Sequence, residues 1–136
     1  MEPRITFVTL GVADIKRSVQ FYRDGLGLPT DYEKGDHAVF SLSSVKMALY
    51  PRHLLASDAT VLPGGGGFSG ITIAHNTRSP EEVNAILAQA QQAGAKIVKE
   101  GQEADWGGYS GYFSDPDGHL WEIAHNPFLE LKVDDS

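Results

Sequence analysis

Apolar residues in this chain follow two rhythms, and each rhythm occurs twice. From Ile5 to Val12 they alternate, with Val8, Leu10 and Val12 on one side and Ile5, Phe7, Thr9 and Gly11 on the other. That is the period of a strand. From Ile15 the spacing lengthens to Val19, Tyr22 and Leu26, a helical stripe with Asp14 at the N-cap and Gly25 and Gly27 at the stop. Three short strands are predicted over 28–50, divided by Lys34-Gly35-Asp36 and Ser43-Ser44. In the third, Val45, Met47 and Leu49 oppose Lys46, Ala48 and Tyr50. The range 51–69 is expected to be irregular. Its run Gly64-Gly65-Gly66-Gly67 has no neighbouring lysine and no following helix, so it reads as a connector and not as a phosphate cradle.

The second half repeats the order. A strand is predicted over 70–76, with Ile71, Ile73 and His75 on one face and Gly70, Thr72 and Ala74 on the other. Ser79-Pro80-Glu81-Glu82 then predicts a helix start, with a serine cap, proline in the first turn and a glutamate closing a capping box. Val83, Ile86, Leu87 and Ala90 carry its stripe and Gly94 ends it. Ala95 opens another strand. The stretch 106–127 supplies two more around the turn Asp115-Pro116-Asp117-Gly118. In the last strand Trp121 and Ile123 share one face, and Glu122 and Ala124 the other.

Strand, helix and three strands, twice over, predict an α+β fold. Two βαβββ repeats would form a curved, cupped mixed sheet with helices on the outside. The chain reads as one domain, 1–136, with repeat one at about 4–52, a connector at 53–69 and repeat two at about 70–127. The helix-free faces collect Phe7, Thr9, Ala48, Tyr50, Gly70, Thr72, Glu122 and Ala124, a mixed set that suits the lining of a small-molecule pocket.

Composition narrows the partners. A length of 136 residues with 41% hydrophobic and 21% charged content is that of a globular domain able to bury a core. A net charge of −7 disfavours nucleic acid and anionic membranes. The absence of cysteine excludes disulfides, thiolate metal sites and a cysteine nucleophile. No long apolar run and no cleavage signature is seen, so the expected location is cytoplasmic.

The doubled pattern carries two signatures. One is Val12-Ala13-Asp14 with Ser18, Phe21-Tyr22 and Leu26-Gly27-Leu28. The other is Asp115-Pro116-Asp117-Gly118 with Glu122. Together they resemble the glyoxalase / bleomycin-resistance / extradiol-dioxygenase (vicinal oxygen chelate) superfamily over nearly the whole chain. The resemblance implies a pocket within the cup, a homodimer, and a divalent metal held by four inward side chains, His or Gln and Glu in the glyoxalase pattern. Carried over by motif, those four positions are Phe7, Ala48, Gly70 and Glu122. Only Glu122 can bind a metal, so no metal ligand set and no other cofactor is expected.

The histidines do not replace the missing ligands. His119 and His125 are expected on the face away from Glu122, about 20 Å apart along one strand. His37 and His53 lie near turns or loops, and His75 shares the face of Ile71 and Ile73. Glu122 itself has two readings: a general base or ligand-binding carboxylate, or a structural group held by Tyr50, Thr72 or a backbone amide. Trp106, Tyr109 and Tyr112, beside Gly107-Gly108, are either an aromatic ligand wall or packing residues. Ser110 lacks the closing glycine of a nucleophile elbow, since Tyr112 stands there. Two functions remain open. One is a metal-independent lyase- or isomerase-like activity with Glu122 as base. The other is a non-catalytic drug-binding or sequestering protein of the bleomycin-resistance kind. A metalloenzyme with displaced ligands stands third.

Overall fold

The structure is a computed structural model that describes residues 1–65, 67–129 and 131. It divides into two compact units, the first ending at Gly67 and the second beginning at Phe68. Each unit has its own four-stranded mixed sheet.

In unit one the strands are β1 (Phe7–Val12), β2 (Thr30–Lys34), β3 (His37–Ser41) and β4 (Lys46–Pro51), in sheet order β1-β4-β3-β2. The β1–β4 pair is parallel and the other two pairs are antiparallel. Alternation sets the faces as expected. Leu10, Val12, Ala38, Phe40, Met47 and Leu49 are buried, together with Val19, Phe21 and Tyr22 from the covering helix. That helix, α1 (Ile15–Val19), is capped by the Asp14 carboxylate, which accepts from the Arg17 N–H at 3.1 Å. It does not stay α-helical to Leu26. Residues Gln20–Gly25 form a π-helical turn, in which the Leu26 N–H donates to the Phe21 carbonyl at 2.9 Å. The wider turn lets the adjacent residues Phe21 and Tyr22 both bury, with their rings edge to face at 4.9 Å.

The expected irregular connector is corrected in its first part, since Arg52–Asp58 is a helix, α2. Pro51 occupies its N-cap, and Ala56 is buried as the helix packs on β1 and β4. The fit is close: a side chain at Gly11 would meet the Arg52 backbone at 3.1 Å.

Unit two has β5 (Ile73–Thr77), β6 (Lys96–Glu103), β7 (Tyr109–Ser114) and β8 (Leu120–His125), in sheet order β5-β8-β7-β6. This is the same topology with the same single parallel pair, β5–β8. Helix α3 (Pro80–Gln92) begins where the capping signal put it, and the Ser79 hydroxyl accepts from the Glu82 N–H at 3.2 Å. Gly94, at φ +115°, turns the chain out of it. Val83, Leu87 and Ala90 of α3 bury against the sheet face that carries Phe113, Trp121 and Ile123. Phe113 and Trp121 stack at 6.0 Å with ring planes 6° apart.

One expectation about β5 fails. Gly70 and Thr72 are not strand residues, because β5 starts at Ile73. Gly70 sits at φ +83°, a left-handed conformation that cannot continue a ladder. The inward position beside β8 therefore falls to Ala74. Among the described residues, no helix is long and apolar enough to cross a membrane.

Candidate functional site

The turn before β8 fixes where Glu122 points. Asp115 is buried, and its carboxylate accepts from the Asp117 N–H at 2.9 Å and the His119 N–H at 2.8 Å. The Gly118 N–H donates to the Asp115 carbonyl at 2.9 Å. With the turn closed, β8 pairs with β7 so that Tyr112 lies opposite Glu122, and with β5 so that Ala74 lies beside it. On the far side of Tyr112 the register partner is Lys99. The row Ala74, Glu122, Tyr112, Lys99 thus crosses all four strands on the face turned away from α3.

Tyr112 and Glu122 are electrostatically joined. Burial is the largest cause raising the Tyr112 phenol above its ordinary value, followed by the Glu122 charge and its hydrogen bond. The phenol therefore keeps its proton at neutral pH and supplies an O–H donor beside the Glu122 acceptor.

Unit one has an equivalent row. Thr9, Ala48, Val39 and Tyr32 are register partners in turn. Counting back three residues from Pro51, the last paired residue of β4, reaches Ala48, and the same count from His125 in β8 reaches Glu122. The two repeats thus set Ala48 and Glu122 at matching places. Phe7 pairs with Lys46 and Tyr50 with Gly11, so the four unit-one residues of the expected pocket share one face. Tyr50 is extended by His37 and Tyr32 in an aromatic run, with centroids 6.0 Å and 5.2 Å apart.

The expected aromatic wall of unit two does not stay together. Tyr112 faces Glu122, whereas Tyr109 lies on the opposite, helix-bearing face and donates its O–H to the Asn84 side-chain oxygen of α3 at 3.0 Å. Residues three apart on a strand point to opposite sides, so this separation was available from parity alone. Trp106 lies before β7, with its indole against Gly108. The sequence places Ala74 on this face without counting it in the expected pocket, and its pairing with Glu122 comes from the register. Lys99 has no such mark, because two bulges in β6 hide its parity.

The donors around Glu122 do not suit a divalent metal. Its neighbours on the face are an alanine, a phenol and a lysine. The matching places in unit one hold Thr9 and Ala48. Among the described residues, no three His, Asp or Glu side chains gather as a metal site would need. His75 lies on the helix-bearing face, and burial lowers its pKa, with Glu82 partly opposing.

Comparison with known proteins adds to this geometry. A family model described as "Glyoxalase/Bleomycin resistance protein/Dioxygenase superfamily" matches residues 4–123. The "Uncharacterized protein YraH" of Bacillus subtilis (strain 168) is 28% identical over 122 residues, covering 85% of this chain and 93% of that one. A solved "glyoxalase-related enzyme from Fulvimarina pelagi" is similar with a TM-score of 0.89 and 28% identity, covering 98% of this chain and 96% of that chain. The solved lactoylglutathione lyase from Agrobacterium tumefaciens, at 19% identity, shares the fold with a TM-score of 0.72, covering 97% of this chain and 100% of that chain.

Proposed function

Because the chain belongs to the glyoxalase/bleomycin resistance protein/dioxygenase superfamily, we propose that it catalyses a metal-independent, isomerase-type proton transfer on a small carbonyl compound, with Glu122 as the base. The observation that carries this reading is the Tyr112–Glu122 pair on the helix-free face of unit two. Glu122 takes a proton from the carbon beside the substrate carbonyl. The Tyr112 O–H turns to the carbonyl oxygen and stabilises the enolate that forms. The substrate carries a hydroxyl on that first carbon: Glu122 returns the proton to the former carbonyl carbon, the hydroxyl hydrogen passes by way of Tyr112 to the former carbonyl oxygen, the hydroxyl-bearing carbon becomes the carbonyl, and no atoms are gained or lost. A carboxylate and a phenol are sufficient for general acid–base work of this kind. The similarity to a glyoxalase-related enzyme supports an enzymatic role. We take the working form to be a cytoplasmic homodimer that binds a small molecule.

The test is proton exchange in deuterated water. Hemithioacetals of α-oxoaldehydes and simple α-hydroxyketones are incubated with the protein, and loss of the C–H signal is followed by proton NMR. Glu122→Gln should slow exchange by about 100-fold or more, the usual contribution of a positioned base. Equal exchange by wild type and Glu122→Gln would remove Glu122 from the chemistry.

A second reading, sequestration without turnover, is favoured by the aromatic run Tyr32, His37 and Tyr50 on the face of unit one that carries Thr9 and Ala48. It requires that ligand binding survive Glu122→Gln while no exchange is seen with either protein.

A further inference from the structure

A second polar row crosses unit two on its other face. Thr77, His125, Tyr109 and Glu103 are successive register partners across β5, β8, β7 and β6. This row ends the sheet on the side that α3 covers, next to Pro80. There the structure holds a cavity of about 380 Å³, lined by Glu103, Tyr109, His125, the Gly107-Gly108 backbone and two prolines, Pro80 and Pro127. Its volume lies in the range of small-molecule sites. It shares no residue with the Tyr112–Glu122 row.

The hydrogen-bond groups of this cavity are one-sided. Tyr109 has given its O–H to Asn84 at 3.0 Å. His125 Nδ1 lies 3.2 Å from the Thr77 carbonyl, so that nitrogen carries the hydrogen and donates, leaving Nε2 as an acceptor in the neutral ring. The Gly107 N–H donates to the Ala104 carbonyl at 3.0 Å, and the Ala104 N–H to the Gly108 carbonyl at 2.8 Å. Pro80 and Pro127 have no N–H to offer. Besides the Gly108 N–H, what remains is the Glu103 carboxylate, the His125 Nε2 lone pair and the free lone pair of the Tyr109 oxygen. Among the described residues, no lysine or arginine lines the cavity. The positive end of α3 is already met by Glu81 and Glu82 in its first turn and by the Ser79 cap.

A wall of acceptors with one carboxylate selects a ligand that is positively charged and rich in donors. From this spent-donor geometry we propose that the cavity at the Glu103–Tyr109–His125 row is a binding site for a small organic ammonium or guanidinium compound, separate from the Glu122 face. Glu103 pairs with the charge, and Nε2 of His125 and the Tyr109 oxygen accept from the remaining N–H groups. The proline rings and the glycine backbone close around the apolar part of the ligand.

The experiment uses the full chain, uniformly labelled with nitrogen-15. It is titrated with benzylammonium, and with benzyl alcohol as the neutral analogue of the same shape. Benzylammonium should move the amide signals of Gly107, Gly108 and His125. Its affinity should fall about tenfold or more in Glu103→Gln, as expected when a charge-assisted bond is lost. Glu103 is exposed, so the variant's melting midpoint should match that of wild type. Glu122→Gln should bind as wild type does, which keeps this site independent of the proposed base. The proposal is overturned if benzyl alcohol binds as tightly, if Glu103→Gln binds unchanged, or if the shifted amides lie elsewhere.

Discussion

Tyr112 faces Glu122 across the β7–β8 ladder, and burial first, then the carboxylate, hold the phenol proton more tightly than solvent would. A folded-state value above the ordinary 10.0 means that the folded chain keeps this proton longer than the unfolded chain does. The associated stability is fully present below pH 10.0 and is lost as pH rises through the raised value. Tyr112→Phe should therefore flatten the alkaline fall in stability, measured by urea unfolding at increasing pH. In Glu122→Gln the phenolate absorbance of Tyr112 should appear at lower pH than in wild type, with burial still holding it up. An unmoved phenolate titration would mean that the two groups are not coupled.

The Asp115 carboxylate ties two backbone N–H groups while buried. Asp115→Ala leaves both donors without that acceptor and should destabilise the protein by about 2–4 kcal/mol, taken from charge-assisted bonds. Asp115→Asn retains one acceptor oxygen and should recover part of the loss. Chemical denaturation of the pair checks the order.

Gly111 lies under α3. A methyl group there would approach the Leu87 side chain and the Lys99 carbonyl, each at 2.7 Å. The backbone carbonyl cannot rotate away, so Gly111→Ala should lower stability by about 1–3 kcal/mol, the range for overpacking. A melting midpoint equal to wild type would show that the helix and strand have room to separate.

Ser79→Ala removes the acceptor for the Glu82 N–H at the start of α3. The expected loss is about 1 kcal/mol, with Ser79→Asp near wild type. Urea midpoints of the two variants settle whether the cap acts through its side-chain oxygen.

What the sequence made readable follows from the reach of each signal. The repeat, the α3 cap and the faces of β1, β4 and β8 rest on short-range rules, and these elements fall where alternation put them. The π turn at Gln20–Gly25 has no such mark, because two adjacent aromatic residues fit an ordinary helical stripe equally well. Helix α2 follows a proline and is seven residues long, too short for its apolar positions to show a period. Gly70 was read as a strand residue because its left-handed φ leaves no trace in the residues around it. The site was readable in its central residue, Glu122. It was less so in its neighbours, since Ala74 and Lys99 come from strands whose start or bulges depend on pairing with other strands. The Glu103–Tyr109–His125 row joins residues of three strands, and no local pattern connects them.

The indole over Gly108 gives the protein an optical handle. The chain has two tryptophans: Trp121 is 7% exposed against Phe113, whereas Trp106 is 45% exposed with its indole against Gly108, a residue of the wall of the acceptor-lined cavity. Their fluorescence divides accordingly. Iodide or acrylamide in solution quenches Trp106 and leaves the shielded emission of Trp121. The quenchable fraction reads the state of that wall without any attached dye.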